Sequence, residues 1–161
     1  MSTKKLATLA ITISFAMVLS YIESRIPAFV AIPGIKIGLA NIAVIFALYK
    51  FGVKEAVVVS LVRIFLISLL FGSFVSLAYS LAGGVLSLLA MAILKRFTPL
   101  GEITVSICGG VLHNAGQIAM ASLILNTNVV VYYLPFLMVS GIIAGIAVGV
   151  AAGILIKRVS I

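Results

Sequence analysis

Long apolar runs, separated by short polar or turn-forming stretches, set the pattern of this chain. A membrane-spanning helix needs about 20 mostly apolar residues. By that measure the punctuation marks off six runs: 5–22, 36–52, 54–72, 74–95, 102–125 and 131–156. The runs are continuous rather than alternating, unlike the strands of a membrane barrel. No long polar linker, low-complexity tract or internal repeat divides them. The expected architecture is therefore all-α: a polytopic six-transmembrane-helix bundle, one domain over residues 1–161. The first run follows Lys4 and Lys5 as a secretory signal would. No small-residue cleavage site comes after it, so it is expected to be retained.

Composition agrees. Of 161 residues, 64% are hydrophobic and only 9% charged, against about 25% charged in an ordinary soluble domain. The few charges then orient the bundle. With the N-terminus in the cytoplasm, Lys4, Lys5, Lys50, Lys54, Lys95, Arg96, Lys157 and Arg158 all fall inside, and only Arg25 and Lys36 fall outside. That is the asymmetry of the positive-inside rule, and it predicts a cytoplasmic-membrane protein with both termini cytoplasmic. Tyr21, Phe71, Phe74, Tyr132 and Tyr133 form an outer aromatic belt on this reading, and Tyr49, Phe51 and Phe97 an inner one. The formal charge of +8 is a topology signal. It is not gathered on a soluble face, so nucleic acid is not an expected partner. The single Cys108 cannot form an internal disulfide and reads as a small buried residue.

Two runs are irregular. Only thirteen residues lie between Lys36 and Lys50, about 20 Å of helix against a hydrocarbon core of about 30 Å. The second helix is thus expected to start below the outer surface. The connection before it, ESRIPAFVAIPGIK, carries Glu23, Arg25, Pro27, Pro33 and Lys36. Proline disfavours helix in the residue before it, so this segment reads as an outer lid, the alternative being an ordinary loop on lipid headgroups. The sixth run carries Gly141, Gly145, Gly149 and Gly153 at intervals of four. Small residues so spaced let helices approach closely, either inside the bundle or on a partner subunit.

Chemistry is constrained by scarcity. The chain has no aspartate, and its acids are Glu23, Glu55 and Glu102. Glu55 and Glu102 open helices, where the helix dipole favours a carboxylate. One histidine and one cysteine cannot build a zinc site, no carboxylate cluster offers itself to magnesium, and no phosphate loop is present. No metal, no cofactor and no catalytic centre are expected.

What remains is a set of polar residues inside the runs. In GGVLHNAGQ, His113 and Gln117 stand four apart on one helical face, with Asn114 beside them. His113 is about 16 Å from Glu102 by helical rise and Arg63 about 13 Å from Lys54, so the two lie at similar depth. Asn41 comes from the second run and Tyr79 from the fourth. Such residues serve either as interhelical hydrogen-bonding glue or as a pocket under the segment 23–36. Arg63 is the hardest to read as glue, because an arginine at bilayer depth faces a partner, a cavity or a ligand. Its options are Glu23, carbonyls at a helix end, or an anionic solute.

The stretches PGIKIGLANI, LYKFGVKEA, SLVRIFLISLLFGS, YSLAGGVLSLLAM, GVLHNAGQI and YYLPFLMVSGIIAG resemble the Gx transporter family, whose members are often labelled heptaprenyl diphosphate synthase component I. That family in turn resembles the substrate-binding S components of energy-coupling-factor (ECF) transporters. The resemblance implies a six-helix membrane protein that binds a small vitamin-like or other micronutrient solute from outside, under the first loop. It also implies a transmembrane coupling subunit and ATPases as partners. The alternatives are a non-catalytic membrane subunit in heptaprenyl diphosphate or quinone synthesis and a membrane scaffold. Prenyl diphosphate synthases use aspartate-rich motifs, which this chain lacks. S components commonly carry an Ala-x-x-x-Ala docking pattern on their first helix; here Ala10-x-x-x-Ser14 is a loose version.

Overall fold

A computed structural model describes residues 3–25 and 38–159. The described residues form six α-helices and no strand: α1 (Thr3–Arg25), α2 (Asn41–Lys50), α3 (Val53–Phe71), α4 (Phe74–Phe97), α5 (Glu102–Leu125) and α6 (Leu134–Arg158). A 3-10 turn (Val129–Tyr133) precedes α6. The sixth run is therefore not one continuous helix; it begins in this tighter turn, and Pro135 sits in the first turn of α6, where its missing N–H costs nothing.

Local chemistry explains the other breaks. Ser73 caps α4 by accepting the Ser76 N–H at 3.2 Å, and Pro99 follows the end of α4. Asn126 closes α5 in the left-handed region, φ 48°, which asparagine tolerates better than most residues. Gly52 turns the chain from α2 to α3 at φ 120°, a conformation that favours glycine.

Among the described residues four stretches are long and apolar enough to cross a membrane: Thr3–Arg25, Phe74–Phe97, Glu102–Leu125 and Val129–Arg158. The other two helices fall short for different reasons. The second helix starts at Asn41, after a turn at residues 38–40, and not at residue 36. Its 10 residues rise only about 15 Å. Helix α3 has 19 residues but carries Lys54, Glu55 and Arg63.

The helices close a ring in which α1 packs on α3, α3 on α4, α4 on α5, α5 on α6, α6 on α2 and α2 on α1. Short α2 also touches α3 and α5, so it has more helix neighbours than a ring alone would give it. Its residues Ala43 to Leu48 are all buried. Its C-terminal end is pinned from α4: Lys95 donates to the Leu48 carbonyl and lies 4.9 Å over the Tyr49 ring. Beside it Lys5 and Glu55 pair at 2.5 Å, tying α1 to α3.

The core divides in two. One apolar cluster surrounds α2, with Val44, Ile45, Leu48, Val59, Met91 and Val105. A smaller one holds Tyr79, Ile118, Ala121, Val130 and Leu137. Along α5 the buried polar residues His113 and Gln117 lie between Val105 of the first cluster and Ala121 of the second. The outer surface is apolar, with Leu69, Phe74 and Tyr132 among its most exposed side chains.

Candidate functional site

Two residues one helical turn apart on α1 begin the polar layer. Ser20 and Glu23 are both buried. Glu23 Oε1 accepts the backbone N–H of Gly38 and, at 3.3 Å, that of Leu39. These N–H groups sit just ahead of α2, where a carboxylate gains from the helix dipole as well as from the hydrogen bonds. Gly38 has φ +93°, and a Cβ there would stand 3.1 Å from Asn41 Nδ2 and 4.0 Å from His113 Cδ2. The turn that starts α2 thus lies directly against Asn41 and His113.

Arg63 enters this layer from the middle of α3 and is only 7% exposed. Its Nη2 donates to Asn41 Oδ1 at 2.9 Å and its Nη1 to Ser20 Oγ at 3.4 Å. Arginine only donates, so Asn41 must turn its carbonyl oxygen toward the guanidinium. Nε has no hydrogen-bond partner among the described residues. The Glu23 carboxylate is near enough to act on Arg63 through space. The three compensations open to Arg63 therefore resolve into two neutral oxygens and a nearby negative charge.

The remaining candidates separate by helical face. His113 and Gln117 face α4: a Cβ on Gly83 would lie 2.8 Å from the His113 carbonyl oxygen, 3.0 Å from His113 Nδ1 and 2.9 Å from Gln117 Cγ. Asn114 faces the other way and donates to the Leu137 carbonyl on α6 at 2.6 Å. Tyr79 is buried in the smaller apolar cluster with Ile118 and Leu137. Arg25 lies on the surface, where it donates to the Tyr21 hydroxyl at 3.0 Å. Pro27, Pro33 and Lys36, and with them the lid, lie outside the described residues. Gly141, Gly145 and Gly149 press on the α5 backbone, and Gly153 on the Glu102 side chain. The four glycines thus pack within this chain, against α5.

The structure brings together Glu23, Asn41 and Arg63, with His113 alongside. It adds Ser20 and Gly38, which the hydropathy pattern does not single out. Ser20 could have been found: it lies three residues before Glu23, on the same face of α1. Among the described residues no group of three or more His, Cys, Asp or Glu side chains could hold a metal ion. The cluster thus combines a buried guanidinium held by two neutral oxygens with a buried carboxylate that accepts backbone N–H groups.

No curated protein and no solved structure matches the chain. The model of the family described as heptaprenyl diphosphate synthase component I does match, over residues 12–155. With nearly the whole length covered, the chain belongs to the heptaprenyl diphosphate synthase component I family.

Proposed function

We propose that this protein is a membrane-embedded solute-binding subunit, working as the S component of an ECF-type transporter and capturing a small anionic or amphipathic micronutrient from the outer face. The observation that carries the reading is Arg63: a guanidinium in the middle of a helix whose hydrogen bonds go to two neutral oxygens, Ser20 Oγ and Asn41 Oδ1. A ligand carboxylate or phosphate offers a charge-assisted bond that is roughly twice as strong as a neutral one. Its arrival would exchange the Asn41 contact for a better one. On this reading His113 and Gln117, buried on α5, serve binding and not catalysis. Six helices cross the cytoplasmic membrane on this reading. Both termini are cytoplasmic, and a coupling subunit with ATPases supplies the energy.

A topology test comes first. Reporter fusions after Lys95 and after Val159 should report cytoplasm, and one after Asn126 the outside. A cytoplasmic signal at Asn126 would remove the six-crossing arrangement. Native mass spectrometry of the purified protein then asks what it holds. A retained small anion of vitamin size supports solute capture, whereas repeated preparations that carry only lipid would count against it.

The family description favours a second reading, a non-catalytic membrane subunit that assists heptaprenyl diphosphate synthesis. The same Arg63 would then face a diphosphate. Co-expression with a soluble prenyl diphosphate synthase subunit separates the two: product formation that depends on this chain supports the second.

A further inference from the structure

Among the described residues the polar layer brings together three groups able to hold charge: Arg63 on α3, Glu23 on α1 and His113 on α5, all buried. A chain of contacts closes round the first two. Arg63 donates to Ser20 and Asn41, the Asn41 N–H donates to the Gly38 carbonyl, and the Gly38 N–H donates to Glu23. Glu23 in turn lies one turn from Ser20 on α1. The guanidinium and the carboxylate therefore share one small volume, and their charges balance.

His113 borders the same volume. A Cβ on Gly38 would stand 3.1 Å from Asn41 Nδ2 and 4.0 Å from His113 Cδ2, so the amide and one edge of the ring meet at this point. The other edge, at Nδ1, is turned to Gly83 on α4. Further titratable groups on the elements packed against α5 stand apart. Tyr79 on α4 belongs to the smaller apolar cluster, Tyr132 and Tyr133 in the 3-10 turn are exposed, α2 has none before Tyr49 and α6 none before Lys157. On α5 itself Cys108 is partly exposed, and Glu102 is about 16 Å away by helical rise.

A carboxylate has the shape of the asparagine amide but carries a charge. An anion that replaces the Asn41 amide at Arg63 leaves the layer with two negative charges against one positive. Buried like charges are costly without a counter-charge. Imidazole is the side chain whose unperturbed titration lies nearest neutral pH. Resting on the solute-capture reading, we propose that anion binding is proton-linked: one proton from solvent enters with the anion and is held by His113 as imidazolium. In the empty layer Arg63 and Glu23 balance each other, and burial favours the neutral ring. Glu23 is the poorer place for the proton, because its bonds from the Gly38 and Leu39 N–H groups are made to a carboxylate. Affinity for the anion should then rise as pH falls, by up to about tenfold per pH unit.

His113 is the chain's one histidine, so its ring-nitrogen NMR signals are unambiguous in full-length protein purified on a histidine-free tag. In lipid nanodiscs, Asn41→Asp puts the negative charge in place without a ligand. At pH 7 the wild-type ring should be neutral, and about half or more of it should be imidazolium in Asn41→Asp. A wild-type ring already charged at pH 7, or a ring that stays neutral down to pH 6 in Asn41→Asp, overturns the proposal. Calorimetric titration with inorganic diphosphate, in buffers of different ionisation enthalpy, then counts protons. Diphosphate carries protons of its own, so the deciding number is the difference between wild type and His113→Gln. Wild type should take up about one proton more. Equal counts overturn the proposal and leave solute capture standing. Should Asn41→Asp not fold, this difference decides alone. If diphosphate does not bind at all, the proposal and the solute-capture reading fall together.

Discussion

Arg63→Leu is expected to destabilise the protein by on the order of 3 kcal/mol and to abolish measurable binding of inorganic diphosphate. The first effect follows from what Arg63 leaves behind. Asn41 Oδ1 and Ser20 Oγ each lose a donor, and the Glu23 carboxylate, buried at 5% exposure, loses the cation that acts on it. Each buried polar atom left without its donor costs about 1–3 kcal/mol. The second effect follows from the loss of the cluster's fixed positive charge. Glu23→Gln separates the two. Glutamine keeps an oxygen at the Oε1 position for the Gly38 and Leu39 N–H groups while removing the charge. The double variant Arg63→Leu/Glu23→Gln should therefore regain about half or more of the lost stability, a coupling within the range seen for contacting residues. It should not regain binding. Melting temperature and calorimetric affinity for diphosphate, measured on all four proteins, complete the cycle. Additive stability losses would show that Glu23 and Arg63 act independently, and retained affinity in Arg63→Leu would take Arg63 out of the site.

The hydropathy pattern carries the helices well and their faces less well. Helix α5 covers 102–125, the residues the apolar run marks, because Glu102 at its start and Asn126 at its end are strong local signals. The start of α2 is different. A run drawn from Lys36 ignores Gly38, whose positive φ forces a turn that only the packing of Glu23 against the Gly38 and Leu39 N–H groups makes worthwhile. Within the site, the similar depth of Arg63 and His113 is readable from helical rise. The neighbourhood of Asn114 was readable too, since a step of one residue turns the helix by about 100° and carries Asn114 away from the His113–Gln117 face. That it meets α6 at the Leu137 carbonyl depends on the order of helices round the ring, which hydropathy does not encode. The burial of Tyr79 beside Ile118 and Leu137 depends on the same order.

The seam between α5 and α6 makes the sharpest stability prediction: Gly110→Ala should destabilise the protein by about 1–3 kcal/mol, and Gly110→Leu should prevent it from folding in stable form. A Cβ on Gly110 would stand 2.5 Å from the Gly141 carbonyl oxygen, and one on Gly141 2.9 Å from that of Gly110. Backbone meets backbone in both directions, so no side-chain rotation can relieve the clash and the helices must part. Gly145 and Gly149 continue the contact, with Cβ positions 2.6 Å from Ile107 Cα and 2.7 Å from Ile103 Cα, so separation at Gly110 disturbs packing over about 12 Å of helix. Helix propensity acts in the opposite sense, since alanine is about 1 kcal/mol better than glycine inside a helix. A net loss therefore reports packing alone. Gly109→Ala is the informative comparison. Its Cβ would meet Met91 Sδ at 2.6 Å, the flexible part of a side chain that repacks readily, so its cost should be smaller and its sign open to the propensity gain. Gly101, with nothing within 4 Å of its Cβ, should tolerate alanine within about 0.5 kcal/mol. The consequence reaches the site as well. Gly110 and Gly145 both line the small crevice that Asn41 also borders, so an α5 pushed off α6 disturbs the surroundings of Asn41. Thermal unfolding of the three alanine variants in one detergent ranks them. Equal melting temperatures for Gly110→Ala and Gly109→Ala would mean that the α5–α6 backbone contact is not what holds this side of the bundle together.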